Sequence, residues 1–236
     1  FNNFNYDKSV PISTTKFWIE AQELINKEKK IKFFKTHNVY GSLNNNEFSN
    51  KHNSIGAVYI VRDPRNVITS LMNHFEMSKE EGLNFMLNEK KFTYDYFKKD
   101  DYSDFQFISS WEKNYKSWIN NKDFPVKLIK YEDLIKQTFY VVKDLIKFIN
   151  KTCKLDPSFD KLKAQNAIKT TSFEKLKKLE KDYGFSESVK SKNQDNNKVP
   201  FFHLGPRNNW KNFFDNSFTN KLNEIFRENL EELQYH

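Results

Sequence analysis

The stretch Ala57-Val58-Tyr59-Ile60-Val61-Arg62-Asp63-Pro64-Arg65-Asn66-Val67-Ile68-Thr69-Ser70 reads as one strand, one tight turn and one helix. Its five leading apolar residues form an unbroken run, the pattern of a parallel strand covered on both faces. Asp63 is suited to cap the following helix, and Pro64 fits the first helical position, where its missing N–H costs nothing. Val67, Ile68, Leu71 and Phe75 then recur at helical spacing. This arrangement sets Arg62 beside free backbone N–H groups and the positive end of a helix dipole. A guanidinium fork there suits a phosphate, and Ser70, two turns on, can add a hydroxyl. Pairing of Arg62 with Asp63 or Glu132 is the structural alternative, and the spacing does not choose between the two.

Further along the chain, Pro125-Val126-Lys127-Leu128-Ile129-Lys130 reads as a second strand, followed by Tyr131, Glu132 and Asp133. Upstream, Ile31-Lys32-Phe33-Phe34-Lys35-Thr36 reads as a shorter strand ending at His37. Helices are expected over 14–27, from Pro64 onward, from the Ser78/Glu81 capping box, over 105–120, 134–150, from Asp156-Pro157, from Thr171, and over 216–232. The aromatic stripe Phe107, Trp111, Tyr115 and Trp118 reads as core, as does Trp210. Strands alternating with helices give an α/β class: a parallel sheet with helices on both faces. Ligands of such sheets bind beyond the strands' carboxyl ends, which is where Lys35, His37, Arg62 and Tyr131 fall. Residues 182–200 are polar and aperiodic and read as a flexible loop.

The chain has 236 residues with 39 Lys+Arg against 31 Asp+Glu, a formal charge of +8. That excess marks either a solvated basic surface or an anion-binding cleft. The 24 Phe, 11 Tyr and 4 Trp supply enough apolar bulk for a folded core. One cysteine, Cys153, makes neither an internal disulfide nor a thiolate metal site, which fits a reducing, cytoplasmic compartment. No apolar run reaches membrane-spanning length and no signal peptide opens the sequence, so no membrane association is expected. Nucleic-acid binding rests on net charge alone, without a recognisable motif, and is not expected. A kinase needs a Gly-Lys-Ser/Thr phosphate loop and a Mg²⁺ carboxylate, and neither is visible.

Five segments in order resemble the soluble, cytosolic-type sulfotransferases that use 3′-phosphoadenosine 5′-phosphosulfate (PAPS), including bacterial relatives. Phe33-Phe34-Lys35-Thr36-His37 resembles their Lys-Thr-His segment, and residues 59–70 their 3′-phosphate motif. Lys130-Tyr131-Glu132-Asp133-Leu134 resembles the Tyr-Glu-Asp segment, and Thr170-Thr171-Ser172-Phe173 the Thr-Ser-Phe segment. Gly205-Pro206-Arg207-Asn208-Asn209-Trp210-Lys211-Asn212 resembles the Gly-x-x-Gly-x-Trp-Lys-Asn segment. The resemblance implies a P-loop-NTPase-like fold and sulfuryl transfer from PAPS to a hydroxyl or amine of a small-molecule or carbohydrate acceptor. It implies that Arg62, Ser70 and Gly205 hold the 3′-phosphate and that Tyr131, Thr171, Ser172 and Phe173 surround the adenine. His37 would be the general base, Lys35 would offset charge on the transferring group, and no metal is required. A non-catalytic remnant that only binds adenosine 3′,5′-bisphosphate (PAP) is the alternative.

The sequence departs from that pattern in three places. The phosphosulfate loop of the form Pro-Lys-Ser-Gly-Thr/Asn-Thr-Trp is not found; Lys8-Ser9…Thr14-Thr15…Trp18 echoes it but lacks the glycine and is interrupted by Pro11. The 236 residues are therefore expected to be a single sulfotransferase domain, N-terminally incomplete, without its first strand and loop. His203-Leu204 stands where the family carries Arg-Lys, and Arg207 is expected to compensate. The family's dimer motif is not reproduced, which leaves the oligomeric state open. The acceptor is expected to be chosen by residues 41–54, 76–105 and 182–200.

Overall fold

The computed structural model describes residues 4–28, 30–94, 101–193 and 197–235. Tyr96 and Phe97, within the 76–105 stretch expected to choose the acceptor, lie outside them. In chain order the described elements are α1 (Trp18–Asn26), β1 (Ser42–Leu43), β2 (Asn46–Glu47), β3 (Ala57–Val61), α2 (Pro64–His74) and α3 (Lys79–Leu87). Next come β4 (Phe92–Thr93), β5 (Gln106–Phe107), α4 (Trp111–Ile119), β6 (Val126–Lys130), α5 (Tyr131–Lys136) and α6 (Thr138–Thr152). Then follow α7 (Lys161–Thr170), α8 (Phe173–Tyr183), β7 (Val189–Lys190), β8 (Lys198–Val199), α9 (Asn216–Ile225) and α10 (Arg227–Glu232).

The fold is α/β. β3 pairs with β6, while β1–β2, β4–β5 and β7–β8 are short antiparallel pairs. The direction of the β3–β6 pair follows from its ends. Ala57 N–H donates to Pro125 O at 3.1 Å, so the starts lie side by side. Asp63 N–H donates to Glu132 Oε1 at 3.3 Å, so the ends do too, and the strands are parallel. Both strands run directly into helices.

Asp63 caps α2 by accepting from Arg65 N–H at 2.9 Å, with Pro64 at the first position, a cap worth about 1 kcal/mol. The capping box before α3 forms reciprocally: Ser78 N–H donates to Glu81 at 2.7 Å and Glu81 N–H to Ser78 Oγ at 3.2 Å.

Several elements differ from the sequence reading. Residues 31–36 form no strand; Phe33 and Phe34 stay 73% and 68% exposed. An extended segment needs a ladder, and just after it His37 and Asn38 N–H donate to the Gln106 and Thr36 side chains, with a single backbone bond from Val39 N–H to Phe107 O. The expected 105–120 helix begins only at Trp111, because Gln106 and Phe107 pair with β4 and Ser110 caps the helix. The expected 134–150 helix starts earlier, at Tyr131, and is interrupted at Gln137. The helix expected from Asp156-Pro157 starts at Lys161, capped by Asp160. The last helix divides at Phe226. Within residues 182–200, β7 and β8 form a hairpin. Two carboxylates hold it: Glu180 accepts from Ser188 Oγ (2.7 Å), Phe201 N–H (2.7 Å) and Phe202 N–H (2.9 Å), and Glu76 accepts from Ser191 Oγ at 2.9 Å.

The chain divides into two compact units. One comprises Phe1–Tyr59, Leu87–Leu128 and Lys147–Pro157, with Trp18, Phe105, Tyr115, Trp118 and Phe124 buried. The other comprises Ile60–Met86, Ile129–Ile146 and Ser158–His236, where Val61, Ile68, Trp210, Phe218, Leu222 and Phe226 are buried.

Candidate functional site

Arg62 leaves the end of β3 and is half-buried. Its Nη1 donates to Ser70 Oγ at 3.2 Å and its Nη2 to Gly205 O at 3.4 Å. The guanidinium carbon lies 4.3 Å from the centre of the Tyr131 ring, a cation–π stack. Nε is buried and has no hydrogen-bond partner among the described residues.

Neither acid suggested by the sequence pairs with it. Asp63 is taken by Arg65, whose Nη2 lies 2.8 Å from Asp63 Oδ2 with side-chain exposures of only 4% and 7%. Glu132 is taken by Asp63 N–H and by the Tyr235 hydroxyl at 2.9 Å. Burial pushes the Arg62 pKa down, opposed by the nearby Tyr131, Glu132 and Asp63. Burial likewise pushes the Tyr131 phenol up, against the pull of Arg62. The half-buried guanidinium thus forms no ion pair among the described residues and carries an unsatisfied N–H, an arrangement suited to an external oxyanion.

Ser70 sits on the same face of α2. Its hydroxyl donates to Asn66 O at 3.1 Å and accepts from Arg62 and from Asn208 Nδ2 at 3.1 Å. Asn208 was not among the residues singled out in the sequence, yet it ties the site together. Its Nδ2 also donates to Asn66 O at 3.1 Å, and its Oδ1 accepts from Thr69 Oγ1 at 2.8 Å. Asn66 Oδ1 in turn accepts from Trp210 N–H at 2.9 Å. These bonds fasten residues 205–210 along α2. The available signal was an amide side chain inside an already suggestive motif; only the fold shows what it spans.

Gly205 has φ +53, a left-handed conformation that favours glycine, and a Cβ there would lie 2.2 Å from the Phe173 ring. The glycine therefore lets the 205–207 turn rest on Phe173. Thr171 and Ser172 are exposed at the start of α8, and the Thr171 hydroxyl donates to Ala167 O at 2.8 Å. Ser172 occupies the N-cap position without a side-chain cap bond. Arg207 is exposed. Lys177, another residue the sequence reading passed over, donates to His203 O at 3.0 Å and brings its ammonium 5.9 Å from the Phe173 ring centre.

Lys35 and His37 belong to the other unit and are exposed. The backbone at His37 is fixed on both sides: its N–H donates to Gln106 Oε1 at 2.7 Å, and its carbonyl accepts from Asn114 Nδ2 at 3.0 Å. Asn114 also donates to Ile108 O at 2.7 Å and accepts from the Tyr59 hydroxyl at 2.8 Å. Thus the contacts unite Arg62, Ser70, Tyr131, Gly205 and Phe173, and hold His37 separately by its main chain.

The parallel strand pair of this α/β protein thus ends in a half-buried arginine at a helix start that forms no ion pair among the described residues. The chain belongs to the sulfotransferase-domain family, whose model matches residues 3–234. It is 24% identical over 227 residues to the 3-beta-hydroxysteroid sulfotransferase of Cavia porcellus, covering 94% of this chain and 72% of that protein. It is 25% identical to sulfotransferase 1A1 of Rattus norvegicus over 73% of this chain, which spans 53% of that protein. Among solved structures, a mouse sulfotransferase (SULT7A1) complexed with PAP aligns at 23% identity, with a TM-score of 0.45, over 73% of this chain and 58% of that one. No helix among the described residues is long and apolar enough to cross a membrane.

Proposed function

We propose that the chain is a sulfotransferase that moves a sulfuryl group from PAPS to a hydroxyl or amine of a small-molecule or carbohydrate acceptor. One observation carries the reading: Arg62 is a half-buried cation with an unsatisfied Nε–H and both neighbouring acids already engaged. The names of the family and of the relatives agree with it, and the PAP complex of the mouse structure is in keeping with it.

In this reading Arg62 supplies the 3′-phosphate with a directed N–H and a full positive charge. Ser70 releases Asn66 O to donate to the same anion, and Arg207, exposed two residues past Gly205, adds a second guanidinium. Tyr131 and Phe173 offer ring faces to the adenine, with the Thr171 and Ser172 hydroxyls beside them. PAPS, when bound, supplies the sulfuryl group. His37 would take the proton of the acceptor's hydroxyl as that oxygen bonds to sulfur and the bridging phosphate oxygen leaves with PAP. Lys35 would offset negative charge on the transferring sulfuryl group.

The test is calorimetric titration of PAP into this chain and its Arg62→Ala variant. Micromolar binding that weakens by about a hundredfold in the variant supports the reading. Equal affinity in both proteins removes Arg62 from the site, and with it the reading.

A further inference from the structure

Of the two acids whose charge reaches Arg62, Asp63 is paired with Arg65, whereas Glu132 makes no ion pair among the described residues. It follows Tyr131, whose ring carries the guanidinium, and its Oε1 accepts from the N–H of Asp63, the residue next to Arg62. That bond is long, at 3.3 Å. The shorter restraint is the Tyr235 hydroxyl, which donates to Oε2 at 2.9 Å. Tyr235 follows α10 and is itself located by Lys130, whose Nζ donates to Leu233 O at 3.0 Å and lies 5.3 Å from the Tyr235 ring centre. Lys130 closes β6, so the strand that presents Tyr131 and Glu132 also holds the residue restraining Glu132.

We propose that Tyr235 is a positioning residue for the oxyanion site: its hydroxyl holds the Glu132 carboxylate away from Arg62 and so keeps the guanidinium available to a phosphomonoester. The inference rests on the nucleotide reading for its ligand, but its physical content concerns three residues of this chain. Without the hydroxyl, Oε2 loses its neutral donor in a partly desolvated place. Arg62, whose charge already reaches Glu132 and whose Nε–H is unsatisfied, can then take that carboxylate in a charge-assisted bond where none exists now. An incoming anion must break that bond before it binds. Asp63 cannot take the same role, because Arg65 already occupies both of its oxygens.

Two measurements test this. In the first, PAP is titrated into the native protein, Tyr235→Phe, Glu132→Gln and the double variant. Tyr235→Phe is expected to weaken PAP by about tenfold, the effect of a competing carboxylate at a half-buried guanidinium. In the Glu132→Gln background the same change should cost less than about twofold, since no charge remains to compete. The same loss in both backgrounds means the hydroxyl serves packing alone, and the proposal falls. In the second, urea unfolding of Arg62→Ala, Glu132→Gln and their combination gives the coupling between those residues, with and without Tyr235→Phe. Coupling should emerge only when the hydroxyl is gone. If PAP fails to bind the native protein while that coupling emerges, the nucleotide reading falls and the positioning role stands. If PAP binds but neither the loss nor the coupling follows, the reading stands and the proposal falls.

Discussion

Two arginines three residues apart flank the turn between β3 and α2, and their surroundings are opposite. Arg65 is finished: three bonds to Asp63, a fourth to Asn223 Oδ1 at 2.9 Å, and the face of Trp210 at 4.3 Å. Arg62 is unfinished: two long bonds to neutral oxygens, one aromatic face and an N–H with no acceptor. Residue type and sequence neighbourhood are nearly the same for both. What separates the two is where the available carboxylates have been spent.

That contrast can be broken from the Arg65 side first. Asp63→Asn keeps a good N-cap but strands the Arg65 cation in the core, and should destabilise the protein by about 3–5 kcal/mol in urea unfolding. Arg62→Ala should shift stability far less while removing PAP binding, the reverse of the Asp63 result. If both variants lose stability alike, Arg62 is structural after all. Next comes the turn that receives Arg62 Nη2. Gly205→Ala adds a left-handed alanine and a clash with Phe173, together costing about 2 kcal/mol in thermal unfolding, with a weaker PAP titration as Phe173 gives way. An unchanged melting point would show that the 205–207 turn relaxes freely. The smallest expected effect separates two exposed cations. Arg207→Ala should weaken PAP by about five- to tenfold and Lys211→Ala by less than about twofold, because Lys211 leans on Trp210 at 5.4 Å. Equal losses would take Arg207 out of the proposed site.

How much of this was legible in the sequence follows from the range of each interaction. The β3–α2 unit is written in adjacent residues: an apolar run, a capping aspartate and a proline at the first helical position. The Ser78/Glu81 box is local in the same way. The segment 31–36 looks like a strand by the same local rules, yet it has no ladder partner among the described residues, and composition does not reveal a missing partner. The site is mixed. Arg62, Ser70, Tyr131, Phe173 and Gly205 stand out through motif resemblance, and the fold brings them together. Asn208, Lys177 and the Glu132–Tyr235 bond matter through contacts that span tens to more than a hundred residues. Likewise, the sequence names Asp63 and Glu132 as candidate partners for Arg62, but only the fold shows that Arg65 and Tyr235 claim them first.

The clasp made by Asn208 has a consequence in time. Arg62 and Gly205 are 143 positions apart, and Thr69 and Asn208 are 139 apart. A chain emerging from the ribosome can form the capped α2 helix early, from neighbouring residues, but the oxyanion site waits for the 205–210 segment. Until that segment docks, Arg62 remains hydrated and Ser70 and Thr69 lack their amide partner. The contacts around Arg62 are thus among the last the growing protein completes, and a nascent chain halted before Asn208 should be helical at residues 64–74 yet, on the proposed function, unable to hold a nucleotide.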